Sequence, residues 1–266
     1  MATCDTRPGK SRGILTRGLL AGALGLAIAA IAACASQGPA KAGSGTPSAL
    51  GIMVYGGTGR IGQRIVNEAL ARGHRVTIVS RKAPAADAPA RERVSYVNGD
   101  ILDAASVAQL SRGQDVVIDA TSSGGGLTPG GQGEDFHPRA AKSLVAAMRQ
   151  LGRKAPRVMV VGGAATLEVE PGKQLIDTMP GARGEPVGQK LSLDFYRTVK
   201  DVSWTFLSPS SKIVPGTRTG KFRLGRDQLL KDAEGNSTIS MEDFAVAMLD
   251  EIEHPAHVRQ RFTVGY

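Results

Sequence analysis

The chemistry-bearing residues nearest the start of the apolar body are Gly56-Gly57-Thr58-Gly59-Arg60-Ile61-Gly62. Glycines at this spacing permit a tight turn, let backbone approach a pyrophosphate and let a helix pack closely on a strand. The N–H groups and positive dipole end of a helix starting here would face the phosphates. Nineteen residues after Gly62 stand Arg81 and Lys82. A dinucleotide site that takes NAD places Asp or Glu near this point to bind the ribose 2′-hydroxyl. A guanidinium instead grips a 2′-phosphate bidentately, so the pair predicts NADP(H) in preference to NAD(H).

The elements that must position these groups follow from periodicity. Gly51 to Tyr55 is a short apolar run of buried-strand type, and Ile61, Ile65, Val66, Ala69 and Leu70 fall on one helical face beyond the glycines. Further strands are expected at Arg75 to Val79, Val94 to Val97, Asp115 to Asp119, Val158 to Val161 and Trp204 to Leu207. Helices are expected at Ala104 to Leu110, at Pro138 to Leu151 and from Pro186 into the sixth strand. Alternation of this kind predicts an α/β fold: a Rossmann-type, doubly wound parallel sheet in a single domain, 50–266, with its ligand at the carboxyl ends of the strands.

Several segments together resemble the atypical branch of the short-chain dehydrogenase/reductase superfamily, the NAD(P)H-binding group that includes biliverdin reductase B (flavin reductase) and NmrA-like sensors. They are GGTGRIG at 56–62, NGDILD at 98–103, DAT at 119–121, VVGGA at 160–164, WTFLSP at 204–209, ISMEDFA at 239–245 and the closing RFTVGY. The resemblance implies that Thr58, Arg60 and Ile61 line the pyrophosphate and Arg81 the ribose phosphate. It likewise implies Asp100 and Ile101 at the adenine, and Ala120 and Thr121 at the nicotinamide half. Most of that superfamily reduces carbonyls with a Ser and a Tyr-x-x-x-Lys pair. Tyr196 and Lys200 have the spacing, but they lie at the far end of their helix, so Tyr196 is read as an aromatic covering core. The expected position reads Pro186-Val187-Gly188-Gln189-Lys190, which keeps Lys190 as a contact for the nicotinamide ribose, and the serine position reads Gly163. No catalytic residue is assigned. The expected function is therefore hydride transfer from NADP(H) to a flavin, quinone or similar conjugated small-molecule acceptor; the alternative is an NmrA-like NAD(P)-binding sensor or scaffold without turnover.

Other residues are read as structural. His137 opens a helix with no carboxylate fixed beside it by spacing, although the Gly-rich stretch Gly124 to Gly133 before it could cover a nicotinamide. His254 and His257 straddle Pro255, and no metal site is expected. Ser240 with Asp243 forms a capping box for the last helix.

The 266 residues carry 33 Lys+Arg against 24 Asp+Glu and only 4% aromatic residues. Without stacking rings on a basic stripe, nucleic acid is not an expected partner. Arg7, Lys10, Arg12 and Arg17 precede the apolar run Gly18 to Ala33, which is too short to span a bilayer. It reads as signal peptide 1–33, and its end, Ile31-Ala32-Ala33-Cys34, resembles the bacterial lipobox. Cys34 would be lipidated, 34–49 would form a flexible tether, and the domain would sit on the membrane of the cell envelope facing the periplasm; the weaker alternative is a cytoplasmic protein. Neither cysteine, Cys4 or Cys34, lies in the folded body, so no disulfide framework is expected.

Overall fold

In the computed structural model the described residues are 49–82, 91–123 and 133–266. The expected signal peptide, Cys34, the tether except Ala49, and the stretch 124–132 lie outside them.

The elements run β1 (Gly51–Tyr55), α1 (Arg60–Ala71), β2 (Arg75–Ser80), β3 (Val94–Asn98), α2 (Ala104–Leu110), β4 (Val116–Asp119), α3 (Phe136–Leu151) and β5 (Arg157–Val161). A short hairpin, β6 (Glu168–Glu170) and β7 (Lys173–Gln174), leads to α4 (Glu185–Thr198) and β8 (Trp204–Pro209). Then come β9 (Lys212–Val214), β10 (Arg223–Gly225), β11 (Thr238–Ser240), α5 (Met241–Glu253) and β12 (Gln260–Gly265).

One eight-stranded sheet has the order β10-β12-β8-β5-β4-β1-β2-β3. Every neighbouring pair is parallel except β10 with β12. The order reverses at β1 and β4, the crevice where an open α/β sheet takes its ligand. Two strands exceed the six expected. β12 is buried along Arg261 to Gly265, yet Gln260, Arg261 and Thr263 interrupt the apolar run expected of a covered parallel strand, and β10 is an edge of three residues.

The sheet carries a core on each face. Ile52, Val54, Ile78, Ile118 and Phe262 meet α1 and α5, whereas Met53, Val117, Val158, Val160 and Phe206 meet α2, α3 and α4. Parallel strands covered on both faces are near-continuously apolar, as β1 is and as β4 is up to its final Asp119. α1 ends where Gly73, at φ +90°, turns the chain and its N–H donates to Leu70 O at 3.0 Å. α5 begins at Ser240, whose hydroxyl accepts from Asp243 N at 2.9 Å. The reciprocal half of the expected capping box is absent: Ser240 N donates to Tyr266 Oη at 3.2 Å, and Asp243 accepts from Thr219, Gly220 and Tyr266. Burial opposes ionisation of Asp243, but these donors outweigh it and lower its pKa.

Candidate functional site

The glycine turn is built as a phosphate cradle. Gly56 sits at φ +73°, and a Cβ there would lie 2.4 Å from Ala120 O. A Cβ on Gly62 would lie 2.1 Å from Gly56 O, so neither position admits a side chain. Gly59 is the N-cap of α1 and offers no capping side chain, which leaves the first helical N–H groups for a ligand. Thr58, Gly59 and Arg60 are exposed, Ile61 is half-buried and Gly62 is buried. These features fit a dinucleotide pyrophosphate.

Around this turn the other expected contacts occupy strand ends. Arg81 follows β2; its side chain is exposed, and its carbonyl accepts from Asn98 Nδ2 at 3.0 Å. Asp100 follows β3, with Oδ1 accepting from Leu102 N at 2.9 Å, and Ile101 beside it is buried. Ala120 N donates to Tyr55 O at 3.0 Å, which fixes the exit of β4 against β1. Thr121 N and Oγ1 both donate to Asp119 Oδ1, at 3.0 and 2.5 Å. Burial raises the Asp119 pKa, while the nearby His137 charge and these bonds pull it down. Lys190 Nζ forms an ion pair with Asp194, one turn along α4, at 2.7 Å.

The sequence reading missed a polar cluster at the ends of β4 and β5. His137, 3% exposed in the first turn of α3, meets Glu185 in the first turn of α4, with Nε2 and Oε1 2.6 Å apart. Glu185 Oε2 also accepts from Ser123 N at 3.0 Å and from Ser123 Oγ. Burial works against the Glu185 anion, yet the bonds from His137 and Ser123 prevail and hold its pKa near 2. Gln189, a turn further on, places Nε2 3.4 Å from His137 Nδ1, and its Oε1 has no hydrogen-bond partner among the described residues. A Cβ on Gly163 would touch the Cβ and Cγ of Gln189 at 3.2 Å, so the stem of this side chain fills the space where the resemblance would place a serine. No carboxylate was fixed beside His137 by spacing; its partner lies 48 residues away, and only the packing of α3 on α4 joins them.

Tyr196 is fully buried, its ring 5.4 Å from that of Trp204, and its hydroxyl has no partner among the described residues. It is a core residue, and burial raises its pKa well above the ordinary range. His257 bonds to Glu251 at 2.8 Å and stacks on Phe262. A second cation missed from sequence is Arg91. It bonds to Asn67 at 2.9 Å and helps line a cavity of about 180 Å³ with Thr58, Gln63 and Tyr96 beside the glycine turn. A larger cavity, about 570 Å³, lies on the α1 and α5 face; its Arg64 and Arg218 are paired with Glu242 and Glu68, so it offers no free charge to a ligand.

Residues 56–255 match the NAD(P)H-binding family. The chain belongs to that family. Among similar solved structures is a Burkholderia pseudomallei protein provisionally described as exported, 40% identical, covering 82% of this chain and 100% of that one with a TM-score of 0.69. A Bacteroides thetaiotaomicron protein provisionally described as an epimerase is 34% identical, over 82% of this chain and 97% of its own, with a TM-score of 0.70. A Streptococcus pneumoniae protein provisionally described as an NADH-flavin reductase is 28% identical, over 81% and 99%, with a TM-score of 0.64. The NAD(P)H-binding membership agrees with the cradle at Gly56 to Gly62 and with the atypical short-chain dehydrogenase/reductase resemblance.

Proposed function

We propose that the protein is an NADP(H)-dependent oxidoreductase that passes hydride to a flavin, quinone or similarly conjugated acceptor without a Tyr-Lys dyad. The observation that carries this reading is the pairing of an intact nucleotide cradle with a proton-donor position that holds no donor. The bound cofactor would supply the hydride. Gly56 to Gly62 and the start of α1 hold its pyrophosphate, Arg81 with Lys82 its 2′-phosphate, and Asp100 with Ile101 its adenine side. Ala120 and Thr121 lie where the nicotinamide half is expected, in reach of the exits of β4 and β5.

At the start of α4 stand Glu185, an anion at neutral pH, and Gln189, an amide. Neither can protonate an alkoxide, and a positioned acid typically contributes 10²- to 10⁴-fold in carbonyl reduction. An acceptor whose anion is delocalised needs less of that help, and proximity and orientation carry more of the acceleration. The relative described as an NADH-flavin reductase supports the acceptor class.

The test is NADPH oxidation across flavins, quinones, ketones and sugars, with NADH compared at each. Turnover confined to the conjugated acceptors is expected, and ketone reduction at equal rates would refute the reading. Tight NADPH binding without turnover on any acceptor would favour the sensor alternative. For location, we propose export and lipid attachment at Cys34, supported by the leader pattern and by the relative described as exported. Cys34→Ala should abolish lipid labelling and membrane partition in a bacterial host, and equal labelling of the mutant would refute the anchor.

A further inference from the structure

We infer that Glu185 and His137 are positioning residues that set the nicotinamide half of the cofactor site by fastening the backbone that follows β4. This rests on the cofactor reading proposed above. Glu185 binds Ser123 through one carboxylate oxygen and His137 through the other. Ser123 lies two residues beyond Thr121, and His137 stands in the first turn of α3, so one carboxylate joins both shoulders of the β4–α3 connection to α4. A third tie runs the other way: Glu134 Oε1 accepts from Gly184 N at 3.1 Å, just before α4. The approach is tight, because a Cβ on Gly188 would lie 3.0 Å from Glu134 O.

The brace is electrostatic as well as steric. The groups facing His137 are Asp119 from β4 and Glu185 with Gln189 from α4. Glu185 is 23% exposed at its side chain and His137 3%, so the bond between them is shielded from competing water. Thr121, held through both N and Oγ1 by Asp119, is the next link toward the site. The adenine half has no such dependence: Arg81, Asp100 and the glycine turn sit on β1, β2, β3 and α1, none of which contacts Glu185 through a hydrogen bond or ion pair among the described residues.

The experiment compares two ligands on the whole chain. NADPH reaches both halves of the site, whereas adenosine 2′,5′-bisphosphate reaches only the adenine half. Glu185→Gln should weaken NADPH binding about 10- to 100-fold, as expected for lost charge-assisted bonds, and leave adenosine 2′,5′-bisphosphate within about twofold. Ser123→Ala, which removes one hydroxyl and threatens the fold less, should shift NADPH alone by about two- to fivefold. Glu185→Asp should recover part of the NADPH affinity if the anion is what matters. Equal weakening of both ligands, or no weakening of NADPH in either variant, overturns the brace. Failure of the wild-type protein to bind either ligand would instead overturn the cofactor reading on which the brace depends.

Discussion

Replacing Glu185 by Gln should cost stability in a way that depends on pH, and the sign follows from the direction of its shift. The folded protein lowers this carboxyl from an ordinary 4.5 to about 2. That preference for the anion corresponds to ~3 kcal/mol of folding stability, and partial exposure of the side chain reduces it to ~2 kcal/mol. A group whose folded pKa is depressed stabilises fully above its unfolded pKa and loses that contribution as pH falls through the folded value. The wild type should therefore exceed Glu185→Gln by ~2 kcal/mol at pH 7, with the gap closing progressively from about pH 4.5 to about pH 2. Urea unfolding of both proteins at pH 7, 4 and 2.5 measures the gap directly, and subtraction removes every other titrating group common to both. An equal gap at pH 7 and pH 2.5 would mean that Glu185 acts through shape alone. No gap at pH 7 would mean that burial of the anion cancels the bonds from His137 and Ser123.

Arg81→Glu should erase most of the preference for NADPH over NADH, by ~1 to 3 kcal/mol in a binding titration, because one charge-assisted pair is lost and a repulsion gained; equal wild-type affinity for the two cofactors would refute the role of Arg81. Gly62→Ala should lose ~1 to 3 kcal/mol of thermal stability and most NADPH binding, since the new Cβ meets a backbone carbonyl that cannot yield without opening the turn. Tyr196→Phe should match wild-type kcat within about twofold and unfold at the same or slightly higher temperature, because it deletes a buried hydroxyl that has no partner among the described residues; a tenfold loss in a well-folded variant would show that Tyr196 takes part in the chemistry.

What could be read from the sequence was local. The cradle lies within seven residues, and the strand, turn and helix around it are neighbours in the chain, so apolar periodicity and glycine spacing were sufficient to find them. Strands β1 to β5 and β8 were likewise legible as apolar runs bounded by turn residues. β12 was not, because Gln260, Arg261 and Thr263 break the apolar run that marked the other central strands, and β10 is too short to carry a pattern. The His137 pair was hidden for a different reason. The nearest acids in sequence, Glu134 and Asp135, precede α3, and Glu185 looks like an ordinary acidic residue in a helix first turn, a place where a carboxylate is favourable by itself. Their meeting depends on how α3 packs on α4. Lys190, singled out by position, pairs with Asp194 four residues on.

The distribution of unpaired polar groups bears on where the chemistry lies. On the α1 and α5 face most buried charges are paired: Glu68 accepts from Arg72 and Arg218, Arg72 also reaches Asp250 and Glu253, and Asp243 holds Thr219, Gly220 and Tyr266, while Arg157 pairs with Glu251 but leaves its Nε without a partner among the described residues. Across the sheet, the buried hydroxyls of Tyr55 and Tyr196 and the Oε1 of Gln189 have no partner among the described residues, and Asp119 is buried with its pKa raised. A buried polar atom without a partner typically costs ~1 to 3 kcal/mol, a penalty that a purely structural core would avoid with an apolar side chain of the same shape. Of these groups, Asp119 and Gln189 stand at the exits of β4 and β5, where Glu185 draws two helices and a strand exit together and where the nicotinamide half is expected. A buried amide oxygen left unpaired beside a buried carboxylate at two strand exits is a strained arrangement of the kind that clusters where a fold meets a ligand.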